Sequence, residues 1–117
     1  MLSYNQVAEA IENEGRKIGQ LAEEIADLAV NAANMESEYK IEFAKARVTY
    51  RDDAAARSVK VTVDQVDDQA TLQAAETLRA SLLARECLTA GREALRAAQS
   101  RLDGLRTLAA GYRQAGG

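Results

Sequence analysis

The chain has 117 residues, of which 47% are hydrophobic and 28% are charged, and it contains no Pro, no Trp and no His. This length and composition predict one domain, residues 1–117, with a modest apolar core. Because His is absent and Cys87 is the single cysteine, the sequence excludes Cys/His metal sites and the nucleophile systems that depend on His. We therefore expect a protein that is not an enzyme and that holds no metal and no cofactor.

The sequence also predicts where the protein works. Cys87 has no second cysteine for an intrachain disulfide, so we interpret it as a small packing residue in a reducing compartment. The first residues lack the basic start and apolar run of a signal peptide, and no stretch reaches the ~20 apolar residues that a membrane-spanning helix needs. We expect a cytoplasmic protein without a membrane segment.

The net charge of −3 conceals a strong asymmetry along the chain. Residues 1–39 carry eight acidic and two basic side chains, and residues 61–78 carry four acidic ones and no basic one. Residues 40–60 carry six basic and three acidic side chains, and residues 79–113 carry seven basic and three acidic ones. Local basic patches therefore say more about nucleic-acid binding than the net charge does.

Apolar residues at seven-residue intervals predict a long helix over about residues 3–52. Ser3 and Gln6 fit a capping box at its start. Two such series, three residues apart, form one stripe along a helix, which is the pattern of a coiled coil. The first series is Tyr4, Ile11, Ile18, Ile25, Ala32, Tyr39 and Ala46, and the second is Val7, Leu21, Leu28 and Met35.

The same spacing predicts a second helix over about residues 68–113. Its series are Leu88, Leu95, Leu102 and Ala109, and Ala84, Gly91, Ala98, Leu105 and Tyr112. Asp67 or Asp68 is the expected N-cap. Residues 114–117 lack large apolar side chains, and we expect this tail to fray.

Residues 53–67 are predicted to connect the two helices. Between Ser58 and Val63, polar and β-branched residues alternate, which suits a loop or a short strand that pairs with another copy. The expected fold is all-α: two long amphipathic helices form an extended, coiled-coil-like hairpin. We also expect a homo-oligomer, because further apolar residues lie off the main stripes. They are Ile41, Phe43, Val48, Leu82, Leu83 and Leu108.

Basic and aromatic residues alternate near the end of the first helix. Basic side chains contact phosphates and aromatic rings stack on unpaired bases, so this mixture is typical of proteins that bind single strands. In the alternative interpretation the rings are core residues and the charges only solubilise the outer face; residue types alone favour neither. The residues are Lys40, Lys45, Arg47 and Arg51 with Tyr39, Phe43 and Tyr50, and the loop adds Arg57 and Lys60.

The second helix carries a stripe of arginines beside its leucines. Such a stripe can follow a phosphate backbone. We favour the alternative, salt bridges to the first helix, because residues 1–39 supply matching carboxylates. The stripe consists of Arg85, Arg92, Arg106 and Arg113, with Gln99 as an interruption and Arg96 one turn from Arg92.

Three segments follow one another in a particular order and spacing. They are Phe43-Ala44-Lys45-Ala46-Arg47-Val48-Thr49-Tyr50, then Lys60-Val61-Thr62-Val63 with Asp67-Asp68, and finally Arg101-Leu102-Asp103-Gly104-Leu105-Arg106-Thr107-Leu108. In this arrangement they resemble the UvsY-type recombination mediators of tailed bacteriophages, whose long first helix ends in an apolar-Lys-Ala-Arg-x-x-Tyr run. The resemblance covers roughly residues 36–113.

The resemblance implies an oligomeric protein, encoded by a phage or prophage, that binds single-stranded DNA in the bacterial host. It implies that the protein helps to load a RecA-like recombinase onto strands coated by single-strand-binding protein. The family's DNA-contacting Lys and Arg correspond to Lys45 and Arg47. We add Lys40, Arg51, Arg57, Lys60 and Tyr50 as further expected contacts. The alternative hypothesis is a structural coiled-coil adaptor, or a phage assembly or scaffold protein, that does not bind DNA.

Overall fold

A computed structural model describes residues 2–116 of the chain. The structure is 92% helical, and none of residues 2–116 lies in a strand. Helix α1 spans Tyr4–Ala56, α2 spans Val63–Gln73 and α3 spans Ala75–Gly116. The expected all-α class is therefore confirmed, whereas the second predicted helix is in fact two helices.

Helix α1 begins at the expected capping box. The main-chain N–H of Ser3 donates to Gln6 Oε1 at 2.8 Å, and the N–H of Gln6 donates to Ser3 Oγ at 3.2 Å. These two bonds satisfy groups that the helix itself leaves without partners. The helix then continues past its predicted end, near residue 52, to Ala56.

The end of α1 closes in a Schellman motif. The N–H of Val59 donates to the carbonyl of Ala54 at 2.8 Å, and the N–H of Ser58 donates to the carbonyl of Ala55 at 3.1 Å. Ser58 has a φ of 56°, the left-handed conformation in which this motif usually places glycine. A side chain in that conformation strains the backbone, so the turn holds Ser58 at a cost in energy.

The connection between the helices is shorter than predicted, because α2 already begins at Val63. Thr62 is its N-cap, and the capping box is complete: Gln65 N–H donates to Thr62 Oγ1 at 3.1 Å, and Thr62 N–H donates to Gln65 Oε1 at 2.9 Å. The predictions of a loop to residue 67, of a strand and of an N-cap at Asp67 or Asp68 are wrong. Local side-chain caps outweigh the β-propensity of this segment.

Ala74 separates α2 from α3. Its φ and ψ are −96° and 17°, and its N–H is shared between the carbonyls of Ala70 and Leu72. On either side, Thr71 donates its hydroxyl to the Asp67 carbonyl and Thr77 donates its hydroxyl to the Ala74 carbonyl. Such bonds compete with regular helix geometry and bend helices. At the far end, α3 runs through Gly116, past its predicted end near residue 113; Gly117 lies outside the described residues.

The chain forms two compact units, and unit 1 consists of Met1–Leu28 and Leu88–Gly117. Its helical segments run antiparallel, since the Tyr4 and Tyr112 rings lie 6.2 Å apart and the Tyr112 hydroxyl donates to the Leu2 carbonyl. Leu28 packs on Gly91, where a Cβ would lie only 3.1 Å from Leu28 Cδ1. A Cβ at this position would require the Leu28 side chain to move by a few tenths of an ångström.

The inner face of unit 1 follows the predicted seven-residue series. Every member of these series that falls in α3 between Leu88 and Tyr112 is buried or half-buried. In α1 the same holds from Val7 onward, and Tyr4 is 44% exposed. The coiled-coil-like pattern is thus confirmed within this unit. The buried residues are Val7, Ala98, Leu102 and Ala109.

Glu14 interrupts this apolar face. It lies midway between Val7 and Leu21 in the second series, and its side chain is 19% exposed. Its Oε1 accepts a hydrogen bond from Arg101 Nε at 3.2 Å, while its Oε2 is buried and has no hydrogen-bond partner among residues 2–116. A charged pair at an inner position stabilises one register of α1 against α3 over others.

Unit 2, Ala29–Cys87, contains the end of α1, the loop, α2 and the start of α3. In this part of α1 the predicted residues Ala32, Tyr39 and Ala46 stay half-buried, and inner residues also recur every eleven positions. Eleven residues make about three helical turns, which lies closer to the natural period of an α-helix than seven residues in two turns. The repeated pairs are Ala32 with Phe43, Phe43 with Ala54, and Tyr39 with Tyr50.

The eleven-residue spacing brings further side chains to the inner face of unit 2. The seven-residue series predicted that Phe43 lies off the packed face, but Phe43 is half-buried. Throughout unit 2, the buried side chains are mostly small, and large apolar side chains remain 48% to 70% exposed. The buried ones are Ala54, Val66, Ala70, Ala74, Ser81 and Ala84, and the exposed ones are Val30, Ile41, Val48, Val59, Val63, Leu72, Leu82 and Leu83.

Cys87 is exposed, so its interpretation as a packing residue is wrong. Ala84 and Leu88 hold the inner positions at this point of α3, and Cys87 belongs to neither series.

Candidate nucleic-acid interface

Lys45 and Arg47, the two residues that the family resemblance singles out, lie on opposite sides of α1. They are two residues apart, and two helical steps turn a side chain by about 200°. Lys40 and Arg51 lie seven residues before and four residues after Arg47, so they share its side of the helix. The structure therefore divides the predicted contacts into two groups instead of uniting them.

Lys45 and Tyr50 line one cleft between α1 and α2. Its volume is about 360 Å³. Lys45 is exposed, and it has no ion pair among residues 2–116. The cleft thus combines a free cation, a half-buried aromatic ring, amides and carboxylates. Its other lining residues are Glu42, Ala46, Thr49, Asp53, Gln69 and Gln73.

Arg47 is engaged within unit 2. Its Nε lies 3.0 Å from Asp67 Oδ1, and its guanidinium carbon lies 5.9 Å from the centre of the Phe43 ring. Both atoms of the ion pair are buried, although their alignment is not that of a hydrogen bond. Tyr39 extends this cluster, with its ring 5.9 Å from that of Phe43. Arg47 therefore ties α2 to α1, and its charge is partly neutralised by Asp67.

The remaining predicted contacts differ in how free they are. Lys40 pairs with Glu36 at 3.2 Å but keeps a side chain that is 71% exposed. Arg57 donates weakly to the carbonyl of Asp53 at 3.4 Å. Arg51, Arg57 and Lys60 are exposed and, within residues 2–116, form no ion pair. Together with Lys45, four of the six basic side chains of residues 40–60 are thus open to a ligand.

Sequence patterns do not indicate the partners that α2 supplies to this site. They predict Asp67 at the end of the loop and Gln69 and Gln73 near the start of the second helix, whereas all three lie within α2, which begins at Val63. The pattern Thr62-x-x-Gln65 is a capping box and could have revealed this earlier start.

The arginine stripe of α3 is largely unpaired. Arg85 alone lies near a carboxylate, that of Glu36, at 3.9 Å. Arg92, Arg106 and Arg113 are exposed, and over residues 2–116 they make no ion pair, so the expectation of salt bridges is wrong for them. Nine helical steps place Arg101 opposite Arg92 on α3, and it is Arg101 that reaches Glu14.

Two further features of the described chain bear on chemistry. No group of three or more His, Cys, Asp or Glu side chains in residues 2–116 is arranged to hold a metal ion. None of the three helices, as described, has a stretch both long and apolar enough to cross a bilayer.

Comparisons with models of protein families, with curated proteins and with solved structures found no match to this chain. The resemblance to UvsY-type mediators therefore stays a prediction.

Proposed function

We propose that the protein is a non-enzymatic recombination mediator that binds single-stranded DNA in the cytoplasm of a phage-infected or prophage-carrying bacterium. In this role it helps to load a RecA-like recombinase onto strands coated by single-strand-binding protein. The supporting observation is the group of exposed, unpaired cations Lys45, Arg51, Arg57 and Lys60, with Tyr50 beside Lys45. Cations that neutralise phosphates and a ring that stacks on a base are what unpaired strands require.

Within this site, Lys45 is the principal contact and Arg47 contributes less. The Lys45 ammonium is free to approach a phosphate, and the Tyr50 ring lines the same cleft. Arg47 must share its charge with Asp67, 3.0 Å away. Lys40 is in a similar position, because Glu36 lies beside it.

Self-association belongs to the same proposal. A few cations per chain bind a strand only weakly, whereas identical copies present the patch repeatedly and raise the effective concentration of sites. The exposed large apolar side chains of unit 2, among them Ile41, Leu82 and Leu83, support association between copies, because burial of such side chains between copies removes apolar area from water.

Fluorescence anisotropy with a labelled, unpaired oligonucleotide tests the proposal. The wild-type protein is expected to bind, with affinity falling as salt rises. Lys45→Ala is expected to lower the affinity about fivefold near 0.1 M salt, the loss of roughly one phosphate contact. Arg47→Ala is expected to have a smaller effect. Lys17→Ala, which removes the same charge from an exposed site in unit 1, is the matched control.

Two results would contradict the proposal. If the wild-type protein does not bind the strand at low salt, the proposal of DNA binding is wrong. If Lys45→Ala and Lys17→Ala lose the same amount of affinity, the assignment of the site to Lys45 is wrong. Asp67→Asn is a further test. If Asp67 masks the charge of Arg47, this substitution is expected to raise the affinity for the DNA strand by up to about fivefold.

The structural adaptor is the second candidate. The eight large apolar side chains that unit 2 exposes favour it, since they offer a protein partner more apolar surface than a DNA strand would use. This candidate predicts self-association in light scattering without any anisotropy change in the DNA titration.

A further inference from the structure

A line of polar residues runs along α3 within unit 1. Starting at Arg92, steps of three or four residues keep to one side of the helix. At about 1.5 Å per residue, the line from its first to its last arginine is roughly 30 Å long. Its members are Arg92, Arg96, Gln99, Asp103, Arg106, Ala110 and Arg113, so four of seven are arginines and one is acidic.

The four arginines of this line are available to a ligand. Arg92, Arg96, Arg106 and Arg113 are all exposed, and none makes an ion pair within residues 2–116. Glu14 of α1 is paired with Arg101 on the opposite side of α3, and no salt bridge within residues 2–116 joins another acidic residue of α1 to these arginines. Arg92 and Arg96 lie one helical turn apart, so their like charges repel each other, and a polyanion bound along the line relieves that cost.

The chemistry of the line indicates phosphate rather than an acidic protein surface. All seven basic residues of α3 are arginines, and arginine binds phosphate oxygens with two parallel N–H donors. The line has no large apolar side chain, whereas the centre of a stable protein interface needs one. An extended row of cations without an apolar anchor fits a phosphodiester backbone.

We propose that Arg92, Arg96, Arg106 and Arg113 form a second phosphate-binding track, which holds the backbone of a DNA single strand along α3. The inference rests on the proposed function, and it extends the DNA contacts from unit 2 into unit 1. The track binds without regard to base sequence, because it offers charge and no aromatic side chain.

The test compares salt dependence in three proteins: wild type, a variant with Arg92→Gln, Arg96→Gln, Arg106→Gln and Arg113→Gln, and a variant with the same four arginines changed to Lys. Labelled oligo-deoxythymidylate is titrated by anisotropy at several salt concentrations. Each lost phosphate contact lowers the slope of log affinity against log salt by about 0.7, so the Gln variant is expected to lose about 2 to 3 units of slope. The Lys variant is expected to keep most of the slope.

Circular dichroism and light scattering of all three proteins complete the experiment. Gln forms helices well, and the changed residues are exposed, so helix content is expected to stay unchanged. An unaltered slope in the Gln variant overturns the track. So does a Gln variant that changes oligomeric state but keeps its slope, because the arginines then bind another copy of the chain.

The outcomes separate this inference from the proposed function. If wild type binds and Lys45→Ala weakens binding while the Gln variant does not, only the track fails. If wild type does not bind the strand, the proposed function fails and the track with it.

Discussion

The two units pack their helices with inner side chains of different size. Unit 1 places large aliphatic residues such as Leu95 and Leu102 on its inner face, at strict seven-residue spacing, and exposes few large apolar side chains. Unit 2 buries mainly alanines, with Phe43 and Tyr50 half-buried, and leaves Ile41 and Leu83 on its surface. Burial of small side chains removes little apolar area from water, and the large side chains left outside must be covered elsewhere.

The two units therefore differ in what stabilises them and in what they expose to partners. Unit 1 resembles a self-sufficient helical pair, stabilised by its own inner face. Unit 2 carries the predicted DNA contacts, the Lys45 cleft and the apolar surface available for association. We infer that stability is concentrated in unit 1 and that unit 2 depends more on what binds to it.

The same substitution in each unit gives the largest contrast. Leu102 is 8% exposed, so Leu102→Ala is expected to lower the free energy of unfolding by about 3 kcal/mol, through lost burial and the cavity left behind. Leu83 is 64% exposed, and Leu83→Ala is expected to change the free energy of unfolding by less than about 0.5 kcal/mol. Urea denaturation at low protein concentration measures both.

Light scattering then measures how the same two substitutions change self-association. Leu83→Ala is expected to weaken self-association, and Leu102→Ala is not. Equal stability losses in the two variants would show that Leu83 is packed as tightly as Leu102, and the distinction between the units would collapse.

Glu14 places a charge at the inner face of unit 1, and its replacement tests how that face stabilises the unit. Glu14→Leu is expected to raise the free energy of unfolding by about 1 kcal/mol, because an apolar side chain replaces a carboxylate whose side chain is only 19% exposed. Arg101 is 49% exposed and can turn to solvent. Thermal unfolding is the measurement.

Arg101→Ala is the matched variant for this prediction. It leaves the Glu14 carboxylate at the inner face without its partner, so stability is expected to fall. A loss of stability in Glu14→Leu as well would mean that the ion pair stabilises unit 1 more than an apolar contact could.

The smallest expected effect concerns the turn that ends α1 in unit 2. Ser58→Gly is expected to raise the free energy of unfolding by about 0.5 kcal/mol, because glycine adopts the positive φ of 56° without strain. Arg57→Gly, one residue earlier, is the control and is expected to destabilise. A destabilised Ser58→Gly would argue against the left-handed turn.

Periodicity predicted unit 1 well because its inner faces keep one spacing from end to end. The seven-residue series identified Leu88 through Tyr112 and the apolar α1 positions without error in side. In unit 2 the series residues Ala32, Tyr39 and Ala46 stay half-buried, but a straight helix gains on a seven-residue repeat by about 20° in each repeat, so further positions turn inward. Phe43, Tyr50 and Ala54 therefore fall inside although the series does not contain them.

The local and long-range details were less predictable. The sequence indicates the capping box at Ser3, but the similar arrangement at Thr62 is harder to predict, because β-branched Val61 and Val63 around it suggest a strand. The pairing of Arg47 with Asp67 joins residues far apart in the chain, and it depends on the register of α2 against α1. No pattern within either segment encodes that register.

The exposed thiol of Cys87 has a practical consequence. Since it is the chain's one cysteine, a maleimide dye or nitroxide spin label attaches at a single defined position in unit 2 without any engineering. Dipolar spectroscopy between labels on different copies would then give intermolecular distances directly. The same label would report, in one native-sequence sample, how the copies rearrange when a DNA strand is added.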